Sequence, residues 1–177
     1  MRGTTENGVR SRSNWLPLSR VLPELYDRHI GTWGDGAFDN DTAADWSLEF
    51  EDADLDSGLV LIERALRAAS DLADSGYLGA DEGMLAVAAA ELVGSIIGPP
   101  RRNPYNEEAV DWISRVHASV TVPLIDLARQ ALVRVTGERS ELAMLWDEAG
   151  DAGWCSVIED LRGRLTIKKD GSASGRL

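Results

Sequence analysis

The feature that most constrains the fold is a run of apolar and small residues between Ala80 and Ile97. Its leucine, valine, isoleucine and alanine side chains point in nearly every direction around a helix, which is typical of a helix at the centre of a domain. Gly98 favours a helix end, and the Pro99-Pro100 pair after it cannot continue a helix. We therefore predict a central helix over residues 80–97 that other helices must surround.

Further segments repeat apolar residues at helical spacing and are separated by glycine, proline or capping residues. The predicted helices cover about 39–50, 57–74, 123–135, 140–149 and 151–165, and a further helix starts near Asn106. Residues 118–123 contain three β-branched side chains and end in Pro123, and they predict only a short extended link that cannot form a sheet by itself. The fold class is therefore all-α, a compact bundle of about seven helices with no significant sheet.

Composition divides the chain into three parts. Residues 1–30 are rich in Arg, Ser, Gly and Asn with weak apolar periodicity, and we expect a poorly ordered or loosely docked N-terminal extension. The helical domain covers 31–165, and 166–177 form a short C-terminal tail. The chain contains one cysteine and no apolar run that is typical of a membrane span or secretory signal, so we expect a cytoplasmic protein.

The negative charge is concentrated in one segment. The chain has a net charge of −12, whereas residues 31–98 alone carry −13 and residues 1–30 carry +2. Such a field repels nucleic acid and anionic membranes, so the sequence predicts no nucleic-acid partner and no membrane partner. It attracts a basic protein partner. The alternative is that the acidity only maintains solubility.

A glycine hook, Gly31-Thr-Trp-Gly-Asp-Gly36, precedes the first predicted helix. Its glycines allow tight turns, and we predict that the hook inserts Trp33 into the core. Four carboxylates cluster beside it: Asp35, Asp39, Asp41 and Asp45. Paired carboxylates can hold a divalent cation or share acid and base roles, but capping of the next helix explains Asp39 and Asp41 without further assumptions. We therefore predict no metal and no cofactor, and keep these residues as weak metal candidates.

Two other patterns resemble chemical sites only in part. Carboxylates fill positions 1, 3, 5 and 12 of a calcium-loop template that begins at Asp52 and ends at Glu63. Ser57 stands where the template needs glycine, so an acidic linker before a helix is the alternative. A nucleophilic thiol at Cys155 that uses His117 as its base would require a contact between the two residues, which the sequence does not indicate. A buried, inert cysteine is commoner.

Trp112 is the best tryptophan candidate for a surface groove, because it and Ile113 are adjacent and cannot both point inward on one helix. With Trp33, Asp39, Asp41 and Asp45 it completes the set of candidate binding residues. None of them is assigned a catalytic role.

Several motifs resemble a known family. They are Gly31-Thr-Trp-Gly-Asp-Gly-Ala-Phe-Asp-Asn-Asp-Thr-Ala-Ala-Asp-Trp46, the Pro-Tyr-Asn-Glu-Glu-Ala-Val-Asp-Trp stretch at 104–112 and Ser140-Glu-Leu-Ala-Met-Leu-Trp146. Together they are similar to the bacterial family called domain of unknown function 4259, over roughly residues 31–165. The resemblance implies a compact helical bacterial protein and supplies no activity and no catalytic residues. Ile30 replaces the methionine that usually precedes the first motif.

Three functional hypotheses follow. The leading one is a non-enzymatic binding domain, for which the acidic segment provides the contact with a basic protein partner. The second is a divalent-cation-dependent enzyme that uses the carboxylates between Asp35 and Asp45. The third is a stand-alone structural housekeeping domain.

Overall fold

The computed structural model describes residues 32, 34–73, 75–98, 107–116, 120–150 and 152–166. The predictions for Trp33, for the 1–30 extension, for His117 and for the tail beyond residue 166 lie outside the described residues.

Seven α-helices and one 3₁₀ helix form the described part of the chain, which confirms the predicted all-α bundle. The helices are α1 (Asp41–Ser47), α2 (Leu55–Ser70), α3 (Ala80–Ile97), α4 (Glu107–Val116), α5 (Val122–Val135), α6 (Glu141–Ala149) and α7 (Ala152–Arg164), with a 3₁₀ helix at Leu48–Phe50. Within the described ranges no strand occurs, and the only extended pairings are isolated bridges, Thr32 with Asn40 and Leu78 with Ser140.

Helix α3 lies at the centre, as its all-round apolar sequence predicts. It contacts each of the other six helices, and five consecutive residues from Ala86 to Ala90 are buried. Alanine makes this possible, because a small side chain on every face lets neighbouring helices approach closely. None of the described helices meets the length and hydrophobicity needed to cross a membrane.

Local side-chain chemistry determines where the outer helices begin and end. Asn40 caps α1 by accepting a hydrogen bond from the backbone N–H of Ala43 at 2.8 Å, and Ser140 caps α6. Gly150 ends α6 in the left-handed conformation, with φ of 67°, which glycine adopts without steric cost.

Helix α2 begins and ends earlier than predicted. Asp54 is its cap and accepts a hydrogen bond from the Ser57 backbone N–H at 2.8 Å. The helix ends at Ser70, before the predicted residue 74. The chain beyond it turns, and Arg134 of α5 donates to the carbonyl groups of Ala73 and Gly76 within that turn. A tertiary contact therefore stabilises the turn in place of the last predicted helical residues.

A charged network joins α3 to α7 inside the bundle. Arg164 donates to Glu91 at 2.5 Å and to Asp160 at 2.9 Å, and the three side chains are at most 16% exposed. Ser95 adds a hydrogen bond to Glu91 at 3.1 Å. Glu91 is the buried carboxylate of α3, whose other two, Asp81 and Glu82, are exposed in the first turn, so this network explains how a charge is accommodated at the centre of the fold.

Candidate binding surface

Seven exposed carboxylates lie along the segment that runs from α1 through the 3₁₀ helix and the link after it to the first turn of α2. We call this surface the acidic face. It consists of Asp41, Asp45, Glu49, Glu51, Asp52, Asp54 and Asp56. No lysine, arginine or histidine occurs between the first and last of these residues. The segment therefore presents one sign of charge to solvent over its whole length.

The apolar residues of the same segment explain why the carboxylates face outward. Ala43, Trp46 and Phe50 are buried, and the rings of Trp46 and Phe50 meet edge-on with centroids 4.9 Å apart. Their three- and four-residue spacing directs them to one side of the helical segment. Asp41 and Asp45, also four residues apart, are therefore placed on an exposed side.

Neighbouring cations neutralise little of this charge. Arg64 lies 3.6 Å from Glu49, but both side chains are largely exposed, and such a pair is weak and screened by salt. Arg115 approaches the same region but donates to the carbonyl groups of Phe50 and Glu51, at 3.0 and 2.8 Å. Arg115 therefore contacts backbone oxygens of this segment.

Helix α2 carries its own ion pairs further along. Arg67 donates to Glu63 at 2.7 Å, as the four-residue spacing on one helix favours, and it also approaches Asp71 at 3.6 Å. The hydrogen bond to Glu63 is the main reason why the pKa of Arg67 is raised. This arginine is thus paired within α2, and the carboxylates it contacts in the described structure are not those of the acidic face.

Asp54 has two roles in the acidic face. The hydrogen bonds that it accepts from Ser57 lower the pKa of its carboxyl group, so the cap is ionised at neutral pH. The negative charge of Asp54 also lies at the N-terminus of α2, where the helix dipole favours it.

Asp39, one member of the predicted carboxylate cluster, stabilises the backbone of the glycine hook. The carboxylate of Asp39 folds back over the glycine hook and accepts a hydrogen bond from the Gly36 N–H at 3.0 Å. A Cβ at Gly34 would lie 2.4 Å from the same carboxylate oxygen, so glycine is needed for this close approach. Asp35 lies in the turn, and Asp41 and Asp45 extend into solvent.

The described residues contain no group of three or more histidine, cysteine, aspartate or glutamate side chains placed to hold a metal ion. The calcium-loop interpretation of Asp52 to Glu63 is wrong in geometry, because α2 already begins at Leu55. An extended ligand loop cannot occupy residues that are helical. The acidic linker before a helix is the arrangement found.

The prediction that Trp112 lines a surface groove is wrong, because its side chain is fully buried. It donates its indole N–H to the carbonyl of Asp54 at 3.2 Å and meets the ring of Phe50 edge-on at 5.2 Å. Gly58 on α2 provides the space, since a Cβ there would lie 2.2 Å from the indole. Ile113 is half-buried and takes the outer position instead.

A concave surface between α6 and α7 was not predicted from the sequence. We call it the α6–α7 groove. It has a volume of about 640 Å³, and its lining includes Met144, Trp146, Trp154 and Cys155. Cys155 is exposed there, so the prediction of a buried cysteine is wrong. Helix α7 buries Trp154, Ile158 and Leu161, and the residue that follows Trp154 therefore points away from the core.

Comparison with known proteins gives one match. The family model described as "Domain of unknown function (DUF4259)" matches residues 31–156, which include α1 to α6 and the acidic face. Neither the curated proteins nor the solved structures include a match to the chain.

Proposed function

The chain is a member of the DUF4259 family, and we propose that it acts as a non-enzymatic binding domain whose acidic face contacts a basic protein partner. One observation carries the proposal: seven exposed carboxylates follow one another between Asp41 and Asp56 without an intervening cation. They lie on ordered helices and turns, so their spacing is preset before a partner arrives.

Electrostatics favours recognition of this kind. A patch of one sign raises the rate at which an oppositely charged partner finds it, and the effect falls steeply with salt. Carboxylates that remain partly hydrated at the edge of an interface pay a smaller desolvation penalty than an ion pair that becomes completely buried. An immunity or antitoxin protein uses such steering, and the acidic face suits a role of that kind.

The test compares two variants of equal charge. The first neutralises the acidic face with Asp45→Asn, Glu49→Gln and Asp52→Asn. The matched control neutralises three exposed carboxylates at the α6–α7 end of the molecule, through Glu138→Gln, Glu148→Gln and Glu159→Gln. Both variants change the net charge by the same amount. A general effect of charge therefore affects both, whereas recognition by the acidic face affects only the first.

Each tagged protein is incubated with lysate from its source at about 0.05 M and about 0.5 M salt, since the screening length shortens several-fold over that range. We expect the wild-type chain and the control to retain the same basic protein at low salt and to release it at high salt. The face variant should retain much less of it. Equal retention by the two variants, or no salt-sensitive partner, would count against the proposal.

A further inference from the structure

We propose that α6 and α7 form a strap that opens from α3 as one unit while α2, α3 and α5 stay folded. The strap consists of α6 (Glu141–Ala149) and α7 (Ala152–Arg164). The proposal concerns different helices from those of the acidic face and does not depend on the proposed function.

The core of the fold consists of three helices. Among the described helices, α2, α3 and α5 make the most extensive contacts with one another, whereas α6 and α7 contact α3 less extensively. Helices α2 and α5 bury five residues each, whereas α6 buries two and α7 buries three. The strap therefore contributes less apolar burial than the core helices, and regions of this kind open at a lower free energy than the core.

Two glycines of α3 lie where the strap packs. Gly83 and Gly94 are about three helical turns apart, so they lie on one side of α3. A Cβ at Gly83 would lie 3.1 Å from Cβ of Leu142 in α6, and a Cβ at Gly94 would lie 3.0 Å from Leu161 in α7. Glycine inside a helix is unfavourable relative to alanine. At these two positions it allows the strap to approach the α3 backbone closely.

Two polar contacts hold the strap against α3. Glu141 of α6 accepts a hydrogen bond from the Ala80 N–H at 3.0 Å and so caps α3, because the N-cap residue Gly79 has no side chain to do this. Arg164, the last residue of α7, pairs with Glu91 in the second half of α3. Water can replace the partners of both contacts when the strap opens, so neither contact prevents opening.

A tryptophan pair joins α6 to α7. The rings of Trp146 and Trp154 stack with centroids 5.8 Å apart and planes within 8° of parallel. A small cavity of about 10 Å³ remains where this pair meets Met84 and Val87 of α3. The pair therefore links the two helices of the strap to each other, while its packing against α3 is incomplete.

Opening is detectable because the strap helices do not persist on their own. Helix α6 has nine residues and α7 has thirteen. Isolated helices shorter than about 12–15 residues are marginal in water. Once the strap leaves α3, its backbone hydrogen bonds break and its amide hydrogens exchange with solvent. Opening also uncovers the side of α3 that carries Gly83 and Gly94.

Native-state hydrogen exchange of the full chain, read by mass spectrometry of its peptides, tests the proposal. In the wild type we expect the amides of the strap to be at least about tenfold less protected than those of α2 and of the middle of α3. Ile62→Val removes one buried methyl group from α2. It should lower the protection of the core about two- to tenfold and leave the protection of the strap unchanged.

Two further substitutions act on the strap itself. Glu141→Ala removes the contact with Ala80 and should lower the protection of both α6 and α7 about threefold or more, because the two helices open together. The matched control, Glu148→Ala, removes an exposed carboxylate of the same helix and should leave the protection of the strap unchanged. Gly94→Ala favours the helical state of α3 but crowds Leu161, so it should raise the protection of the core relative to that of the strap.

Equal protection of the strap and the core in the wild type would overturn the proposal, because the molecule then unfolds as one unit. An effect of Ile62→Val that is as large in the strap as in the core would overturn it too. An effect of Glu141→Ala that is confined to α6 would show that the two helices do not open together. Circular dichroism checks that each variant keeps its helices.

Discussion

Replacing Gly58 by alanine tests the packing of α2 against α4. A Cβ at this position would lie 2.2 Å from Cζ2 and 2.6 Å from Nε1 of Trp112. The indole has no room to turn away, because it is fully buried. Its N–H is bonded to the carbonyl of Asp54, and its ring packs against Phe50. The added methyl group therefore forces α2 and α4 apart or displaces the indole.

The expected magnitude combines opposing effects. Alanine stabilises a helix interior by about 1 kcal/mol relative to glycine. Overpacking of a well-packed core costs about 1–3 kcal/mol. Loss of the indole hydrogen bond adds about 1 kcal/mol. We expect the free energy of unfolding to fall by about 2 kcal/mol in total, which lowers Tm by about 4–8 °C for a domain of this size.

Urea unfolding followed by circular dichroism measures the effect. The matched control is Gly163→Ala in α7, where an added Cβ meets no atom within 4 Å. Helix propensity is then the only effect of the substitution, and the control should be up to about 1 kcal/mol more stable than the wild type. If Gly58→Ala also raises stability, the close packing of Trp112 on Gly58 is refuted. A second check uses the Trp112→Leu background, in which Gly58→Ala should no longer destabilise.

Three further predictions concern the charged network, a cap and pH. Glu91→Gln leaves the charge of Arg164 partly uncompensated inside the bundle and should lower the free energy of unfolding by about 3 kcal/mol, measured by urea unfolding. Ser140→Ala removes the buried cap of α6 and should cost about 1 kcal/mol in the same assay, whereas a neutral result would contradict the capping role. The pKa of Asp54 is lowered in the folded chain, so its contribution to stability is complete above the ordinary carboxyl pKa and is lost as pH falls through the folded value. The Tm of the wild type should therefore fall towards that of Asp54→Asn below about pH 4, and a constant difference between them from pH 7 to pH 3 would contradict this.

Features specified by neighbouring residues could be predicted from the sequence. The limits of α3, Ala80 and Ile97, agree with the prediction at both ends, because an apolar run and the glycine and prolines after it act locally. The Glu63–Arg67 pair and the Ser140 cap also follow from spacings of three or four residues. Each of these features needs only its own helix to form.

The candidate binding residues divide in the same way. The exposure of Asp41 and Asp45 follows from the apolar face that α1 buries, and the sequence concentrates charge there. The burial of Trp112 was not predictable. Trp112 and Ile113 are adjacent in α4, and the apolar periodicity of the helix does not show which of the two faces the core. The exposure of Cys155, in contrast, follows from the face of α7 that buries Trp154, Ile158 and Leu161, because the residue after Trp154 points away from the core.

The sequence alone therefore determined the helical class, the central helix and the acidic segment, since these depend on residues within one or two turns of each other. Tertiary structure decided which faces meet. Trp112 and the Asp54 carbonyl are 58 residues apart, and Arg164 and Glu91 are 73 apart. Such pairs form only when helices pack, because the space beside a glycine and the partner of a buried charge are supplied by another helix.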